Sequence, residues 1–142
     1  MTSAILTFDE WAADLGPEIT RAILWRSFAY RSSLYAFHVG WHDALALSRN
    51  PITRRVAGQL YDALGSIAAN VSEGFSRSSG PDRARLLEYG LGSTREGVVW
   101  YQGSIPILGQ ATVSARQSAL QDIARSLLGT IPKERGRTIR KW

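Results

Sequence analysis

Apolar residues recur at spacings of three and four along most of this chain, and that spacing places them on one face of an α-helix. Polar breaks at Asn50-Pro51, 76–80 and 109–112 divide the pattern into four long segments. The residues that carry it are Tyr30, Leu34, Phe37, Trp41 and Leu45; Val56, Leu60, Leu64, Ile67, Val71 and Phe75; Leu87, Leu91, Thr94, Val98, Tyr101, Ile105 and Leu108; and Val113, Leu120, Ile123, Leu127 and Ile131. No segment alternates as a strand would, so the sequence predicts an all-α fold: an antiparallel up-down four-helix bundle with a short extra N-terminal helix.

Prolines mark the predicted helix boundaries. Pro51 and Pro81 suit the first turn of the second and third long helices, because the N–H that proline lacks would be unpaired there. Pro106 is expected to kink or end the third helix. Ser114, with a glutamine three residues later, fits a capping box that begins the fourth helix, and Pro132 is expected to end it.

Charge divides the 142 residues into three parts. Residues 1–20 carry four acidic and no basic side chains, whereas 133–142 carry five basic side chains and one acidic. We expect an acidic N-terminal extension, a bundle over 21–132 and a basic C-terminal tail. The net charge is +5, and arginine supplies most of the 17 basic residues. Arginine favours bidentate contacts with carboxylate or phosphate.

Several classes of protein do not fit this composition. The chain has no cysteine, so it contains no disulfide framework. Residues 1–8 lack the basic start of a secretory signal, and the uncharged run 97–115 holds several polar residues. We therefore expect a cytoplasmic protein without a membrane span. The nucleophile motif GxSxG and the phosphate-binding motif GxxxxGK[ST] do not occur, so we predict neither enzyme activity nor a cofactor.

His38 and His42 lie four residues apart and share a helical face. Zinc proteases use this spacing, but they need a glutamate directly after the first histidine, where this chain has Val39. Ordinary helix residues are the better interpretation, and the sequence predicts no metal site.

Arginines on the second and third helices are the candidate contacts for phosphate groups. Such residues position a nucleic-acid backbone without reading its sequence. The alternative interpretation is a solvated basic surface without a ligand. The candidate nucleic-acid-binding residues are Arg54, Arg55, Arg77, Arg83, Arg85 and Arg95.

Glu73 precedes Arg77 by four residues, which is the favourable order for an ion pair on a helix. The pair belongs either to a solvated face or to a polar seam that fixes the register with the third helix. The small and apolar residues around Glu73 favour its burial.

The third helix holds four glycines, each of which costs about 0.8–1 kcal/mol relative to alanine inside a helix. Close approach of another helix would offset this cost. Gly90, Ser93 and Gly97 form a stripe of small residues, and either a contact within the chain or a contact between subunits would use it.

One block of the chain resembles a known family. The block covers roughly 55–110, and its pattern is ANxxEGxxR, then a polar loop, then ExxxGSxxE. The matching residues are Ala69, Asn70, Glu73, Gly74, Arg77, Glu88, Gly92, Ser93 and Glu96. In these residues the chain is similar to the four-helix-bundle family of the 23S rRNA intervening-sequence proteins, to which the accessory variability proteins of diversity-generating retroelements are related.

The resemblance implies a ring-like homopentamer without catalytic residues. In the retroelement branch it also implies a basic surface that binds RNA or DNA and a reverse transcriptase. We therefore expect a non-catalytic, oligomeric accessory protein that binds nucleic acid, a reverse-transcriptase-type nucleoprotein, or both. The alternative is a purely structural protein-interaction oligomer without affinity for nucleic acid.

Overall fold

Helices make up almost all of the structure. The computed structural model describes residues 4–136, and this part of the chain contains no strand. Four of its helices are long: α3 (Phe28–Ser48), α4 (Arg54–Phe75), α5 (Gly80–Gln102) and α7 (Gln110–Arg135). The short helices are α1 (Phe8–Ala13), α2 (Pro17–Thr20) and α6 (Ile105–Leu108), and a 3-10 turn spans Ile23–Arg26. The prediction of an all-α fold is confirmed.

The four long helices pack against each other in a fixed order. Helix α4 lies between α3 and α5, and α7 packs mainly on α5. The hydroxyl of Thr53 donates to the carbonyl of Leu47 over 2.7 Å, which ties the start of α4 to the end of α3. Arg83 at the start of α5 bonds Glu134 at the end of α7 over 2.7 Å. Because α5 and α7 pack along each other, this contact shows that they run in opposite directions.

The helical assembly has two ends, and each is named by the helix connection that it contains. The α3–α4 end comprises residues 48–55 together with the 103–109 connection. The α4–α5 end comprises residues 73–85 together with the last turn of α7. Helix α4 has 22 residues, so the two ends lie about 33 Å apart along its axis.

Leucine and isoleucine from α4, α5 and α7 form the centre of the core. Leu64 and Ile67 of α4 are completely buried, as are Leu120 and Ile123 of α7 to within 1%. Each buried side chain of this size stabilises the fold by about 1.5–3 kcal/mol. On α4 and α7 the core thus follows the predicted spacing of three and four.

On α3 the core departs from the predicted face. Trp41 and Leu45 are 53% and 42% exposed. Gly40 and Ala44 face the core instead, and a Cβ atom at Gly40 would lie 2.3 Å from Cδ1 of Leu64. Because small residues let α4 approach α3 closely, the large apolar side chains of α3 turn partly outward.

Helix α7 is longer than the sequence predicts at both ends. It begins at Gln110, directly after Gly109, whose φ of 85° suits glycine. Ser114 therefore lies inside the helix and caps nothing, so the predicted capping box is wrong. Pro132 also lies inside the helix, which continues to Arg135. Buried Glu134 is bonded to Arg83, and this tie holds the turn that follows the proline.

The other boundaries deviate less. The long helix expected from residue 21 begins at Phe28, where the Ser27 hydroxyl accepts a hydrogen bond from the Tyr30 N–H. Helix α4 begins three residues after Pro51. Helix α5 ends at Gln102, and Pro106 lies in the first turn of α6, as its lack of an N–H favours.

The N-terminal segment packs on α3 through aromatic rings. Trp11 of α1 is buried, and its ring centroid lies 5.4 Å from that of Tyr35 and 5.9 Å from that of His38. The Tyr35 hydroxyl donates to the carbonyl of Leu6 over 2.7 Å. The acidic extension predicted for 1–20 is thus attached to the long helices over its described residues. Of the predicted basic tail, 137–142 lie outside the described residues.

Candidate nucleic-acid interface

Three exposed arginines lie together at the α3–α4 end. Arg54 and Arg55 occupy the first turn of α4, and Arg49 follows the last residue of α3. Arg54 donates from Nε to the carbonyl of Ser48 over 3.4 Å. Within residues 4–136, none of the three forms an ion pair with a carboxylate.

The start of α4 adds positive potential to these side chains. Its first turn holds no acidic residue, and the side chain of Thr53 makes no capping hydrogen bond. The Thr53 hydroxyl donates to the carbonyl of Leu47. A helix N-terminus behaves as a partial positive charge. Two arginines at this position oppose the dipole, so the arrangement costs stability and favours an anion.

At the α4–α5 end the arginines have carboxylate partners. Arg77 bonds Glu73 over 2.7 Å and lies 3.7 Å from Asp82. Arg85 bonds Asp82 from both Nε and Nη2, and its guanidinium lies over the ring of Tyr89. The hydrogen bond from Arg85 lowers the pKa of Asp82, so this carboxylate stays charged. Glu73 and Asp82 thus neutralise Arg77 and Arg85.

Arg83 is the predicted phosphate contact that the structure corrects. Its side chain is 0% exposed and donates from Nε to Glu134 over 2.7 Å. Its Nη1 donates to the carbonyls of Arg77 and Ser78, each over 3.0 Å. Arg83 thus holds the α4–α5 connection against the end of α7, and a phosphate cannot reach it.

The expected burial of Glu73 is wrong. Its side chain is 53% exposed and pairs with Arg77 on the surface. The buried residues of this part of α4 are Val71 and Gly74. Glu73 lies two residues after Val71, about 200° around the helix, and therefore points away from the core.

Arg95 lies apart from the other arginines of the predicted set. It is exposed in the middle of α5 and borders a groove between α5 and α7 with Arg125. Arg125 pairs with Asp122, whereas Arg95 has no ion pair within residues 4–136. The six predicted arginines therefore occupy three separate places: the two ends and the middle of α5.

Two glycines of the block 55–110 lie where another part of the chain approaches closely. A Cβ atom at Gly74 would lie 3.3 Å from the carbonyl oxygen of Arg83, and one at Gly97 would lie 3.1 Å from Cδ1 of Leu120. For these positions the contact within the chain explains the glycine. Gly92 is exposed, with open space where its side chain would be.

The polar members of the block have local roles. Asn70 donates to the carbonyl of Ser66 one turn earlier over 2.8 Å. Glu88 is exposed and pairs with Arg135 of α7. Ser93 is half-buried beside the exposed Gly92. In the described chain these residues stabilise helices and connect α5 to α7.

Sequence reasoning missed three charged groups. Arg49 lies near Arg54 and Arg55 because the connection between α3 and α4 is short. The spacing of these residues in the sequence could have shown this proximity. Asp43 is buried and bonds Arg116 over 2.7 Å, and nothing in the local sequence marks this pair, which lies 73 residues apart. Glu134 was assigned to the tail because Pro132 precedes it.

The two histidines lie against aromatic rings and form no metal cluster. Their ring centroids are 5.5 Å apart, and His38 stacks on Trp11. Among residues 4–136, no three histidine, cysteine or acidic side chains lie close enough to hold a metal ion. Burial lowers the pKa of His38, and the neighbouring His42 contributes to the shift.

Comparison with known proteins gives no relative: no family model, no curated protein and no solved structure matches the chain significantly. Among the helices of residues 4–136, none combines the length and the apolar character that crossing a bilayer requires.

Proposed function

We propose that this protein is a non-catalytic, cytoplasmic accessory protein that binds RNA or DNA through the α3–α4 end. In this proposal the long helices form a four-helix bundle, and copies of the bundle assemble into a ring of five. The observation that carries the proposal is the group of Arg49, Arg54 and Arg55, which are exposed and form no ion pair with any carboxylate of residues 4–136.

Unpaired arginines bind phosphates by releasing the counterions of the nucleic acid. Each phosphate that is neutralised on a single strand contributes about −0.7 to the slope of log affinity against log salt. Three arginines in one subunit supply weak binding only. A ring would repeat them in every subunit, and simultaneous contacts with one strand would raise the overall affinity.

Exposed apolar side chains beside the basic end support the assembly. Trp41 and Leu45 lie next to Gly58 and Tyr61 along a shallow groove between α3 and α4. Ile52, in the connection between Arg49 and Arg54, is 88% exposed, more than any other large apolar side chain of residues 4–136. Contact between subunits or with a protein partner would cover this surface. A reverse-transcriptase-type nucleoprotein is the partner that the family resemblance suggests.

The same apolar surface favours the second candidate function, a structural protein-interaction oligomer without affinity for nucleic acid. That function needs the groove beside Trp41 and does not need the arginines. Measuring assembly and RNA binding on the same variants therefore separates the two functions.

The test measures the affinity of two arginine variants for fluorescently labelled single-stranded RNAs of different sequence. We expect Arg49→Ala, Arg54→Ala and Arg55→Ala together to weaken binding at least tenfold and to reduce the salt slope by about 2. The matched control, Arg77→Ala with Arg85→Ala, should change affinity less than twofold because those arginines are neutralised. Light scattering on each variant reports the number of subunits.

Two results would contradict the proposal. If the unmodified protein shows no binding at tens of micromolar protein in low salt, the structural oligomer is the function that stands. If the control variant weakens binding as much as the first one, the site lies elsewhere on the surface.

A further inference from the structure

A cavity of about 190 Å³ lies between α3 and α7. These two helices make fewer contacts with each other than the other neighbouring long helices do, so a gap remains between them. Phe8 of the N-terminal segment, Tyr35 and Val39 of α3 and Ala119 of α7 line it. The ring centroids of Phe8 and Tyr35 lie 5.5 Å apart at nearly a right angle. The walls are thus mainly aromatic and aliphatic.

Ser32 of α3 and Asp122 of α7 also line the cavity, and Asp122 is paired with Arg125. Arg116 of α7 is the lining residue that brings hydrogen-bond donors. It donates to both carboxylate oxygens of Asp43, over 2.7 Å from Nε and 3.3 Å from Nη2. The Tyr101 hydroxyl donates to the same carboxylate over 2.7 Å. The two hydrogen bonds to Asp43 use Nε and Nη2, and the Arg116 side chain keeps 24% of its surface exposed. Nη1 is thus the guanidinium nitrogen that Asp43 does not use.

The charge of this group determines which ligand fits. Asp43 is 5% exposed and already neutralises Arg116, so the pair contributes donors without a net charge. A carboxylate ligand would bring a second negative charge next to Asp43 in a poorly solvated place, which is unfavourable. A neutral carbonyl oxygen accepts the same hydrogen bonds without that cost.

We propose that this cavity binds a small neutral aromatic molecule that carries a carbonyl group. The ring lies against Phe8, Tyr35 and Val39, and the carbonyl oxygen accepts from Nη1 of Arg116. The size agrees, since an apolar cavity of about 150 Å³ is known to hold benzene. Sites for small ligands commonly lie between the helices of helical proteins. This inference does not depend on the binding of nucleic acid.

Benzamide is the probe, and NMR titration of the full chain is the measurement. We expect a dissociation constant on the order of 1 mM, as suits a ligand of this size. The shifts should concentrate at the amides of Val39 and Ala119 and at the Arg116 side-chain N–H. Ala119 lines the cavity from an exposed position of α7, and Ala119→Leu should obstruct the cavity and weaken binding at least tenfold. Ala111→Leu adds the same side chain to an exposed position of α7 outside the cavity and should leave binding unchanged.

Three further measurements test the polar contact. Ethylbenzene, which lacks an acceptor, and benzoate, which carries the second negative charge, should each bind at least threefold more weakly than benzamide. Arg116→Lys keeps the charge beside Asp43 but removes the Nη1 donors, and it should also weaken benzamide binding at least threefold. Equal binding of ethylbenzene, tighter binding of benzoate, or loss of binding in both Ala119→Leu and Ala111→Leu would overturn the proposal.

Discussion

The two ends of the helical assembly use the same residue type in opposite ways. At the α4–α5 end, Arg77, Arg83, Arg85 and Arg135 each have a carboxylate partner. At the α3–α4 end, the arginines of the 48–55 connection have none within the described chain. Arginine content alone therefore does not locate a binding surface, because a carboxylate close by converts a phosphate contact into an internal tie.

The partners also differ in what they contribute to stability. Exposed pairs such as Arg77–Glu73 contribute up to about 1 kcal/mol, because water already solvates both charges. Breaking a buried pair costs more, since the remaining charge stays in a place that water cannot reach. Arg83–Glu134 is the buried pair of the α4–α5 end. We expect the fold at that end to depend on it, whereas the arginines of the 48–55 connection form no ion pair within the described residues.

The largest effect is expected at the buried pair. Glu134→Ala should lower the free energy of unfolding by about 3–5 kcal/mol, because Arg83 keeps its charge without a counter-charge. Glu73→Ala, the matched control at the exposed pair, should cost less than about 1 kcal/mol. Urea unfolding of the two variants and the unmodified protein measures both values. Equal, small losses would mean that burial does not distinguish the pairs, and the comparison of exposed and buried partners would fail.

Local patterns predicted the helices but not the distant pairs. The apolar spacing in α4 and α7 identified their buried faces, because a regular helix repeats its contacts every three or four residues. On α3 it failed, since Gly40 and Ala44 admit α4 closely and the larger Trp41 cannot share that contact. A side chain as small as glycine carries no hydropathy signal to show which neighbour approaches it.

The candidate arginines also differ in how far the sequence could predict their surroundings. Arg54 and Arg55 could be assigned from sequence because they are exposed at a helix start, where nothing nearby competes for them. Arg83 could not be recognised as buried, since its partner Glu134 lies 51 residues later, beyond a proline that typically ends a helix. Partners far apart in sequence become visible only in three dimensions.

A second prediction concerns a variant in which the arginines of the α4–α5 end lose their carboxylate partners. Glu73→Gln with Asp82→Asn removes the carboxylates that neutralise Arg77 and Arg85 and leaves the arginines in place. Affinity for single-stranded RNA should rise on the order of fivefold at 50 mM salt, since two more phosphates can be contacted. Fluorescence anisotropy measures the change.

The control for this variant is Asp62→Asn with Glu96→Gln, which changes the net charge equally. Asp62 and Glu96 are exposed and form no ion pair within residues 4–136, so their removal frees no arginine. It should raise affinity less than twofold. If both variants gain equally, net charge governs binding and the local pairing of arginines does not matter.

The smallest effect is expected at the start of α4, where one substitution should stabilise the helix and weaken the proposed binding. Arg55→Glu places a negative charge in a first turn that has no acidic residue, and it should stabilise the fold by about 0.3–1 kcal/mol. The same change should weaken RNA binding, because it removes one phosphate contact and repels a second.

Arg85→Glu, in the first turns of α5, is the control and should have the opposite effect on stability. It puts a carboxylate beside Asp82 and breaks that ion pair. Thermal unfolding and anisotropy on the two variants measure both effects. A chain that is more stable with glutamate at 55 but binds less RNA shows that these arginines are kept at a cost to the fold, whereas a loss of stability would show that Arg55 has a structural role.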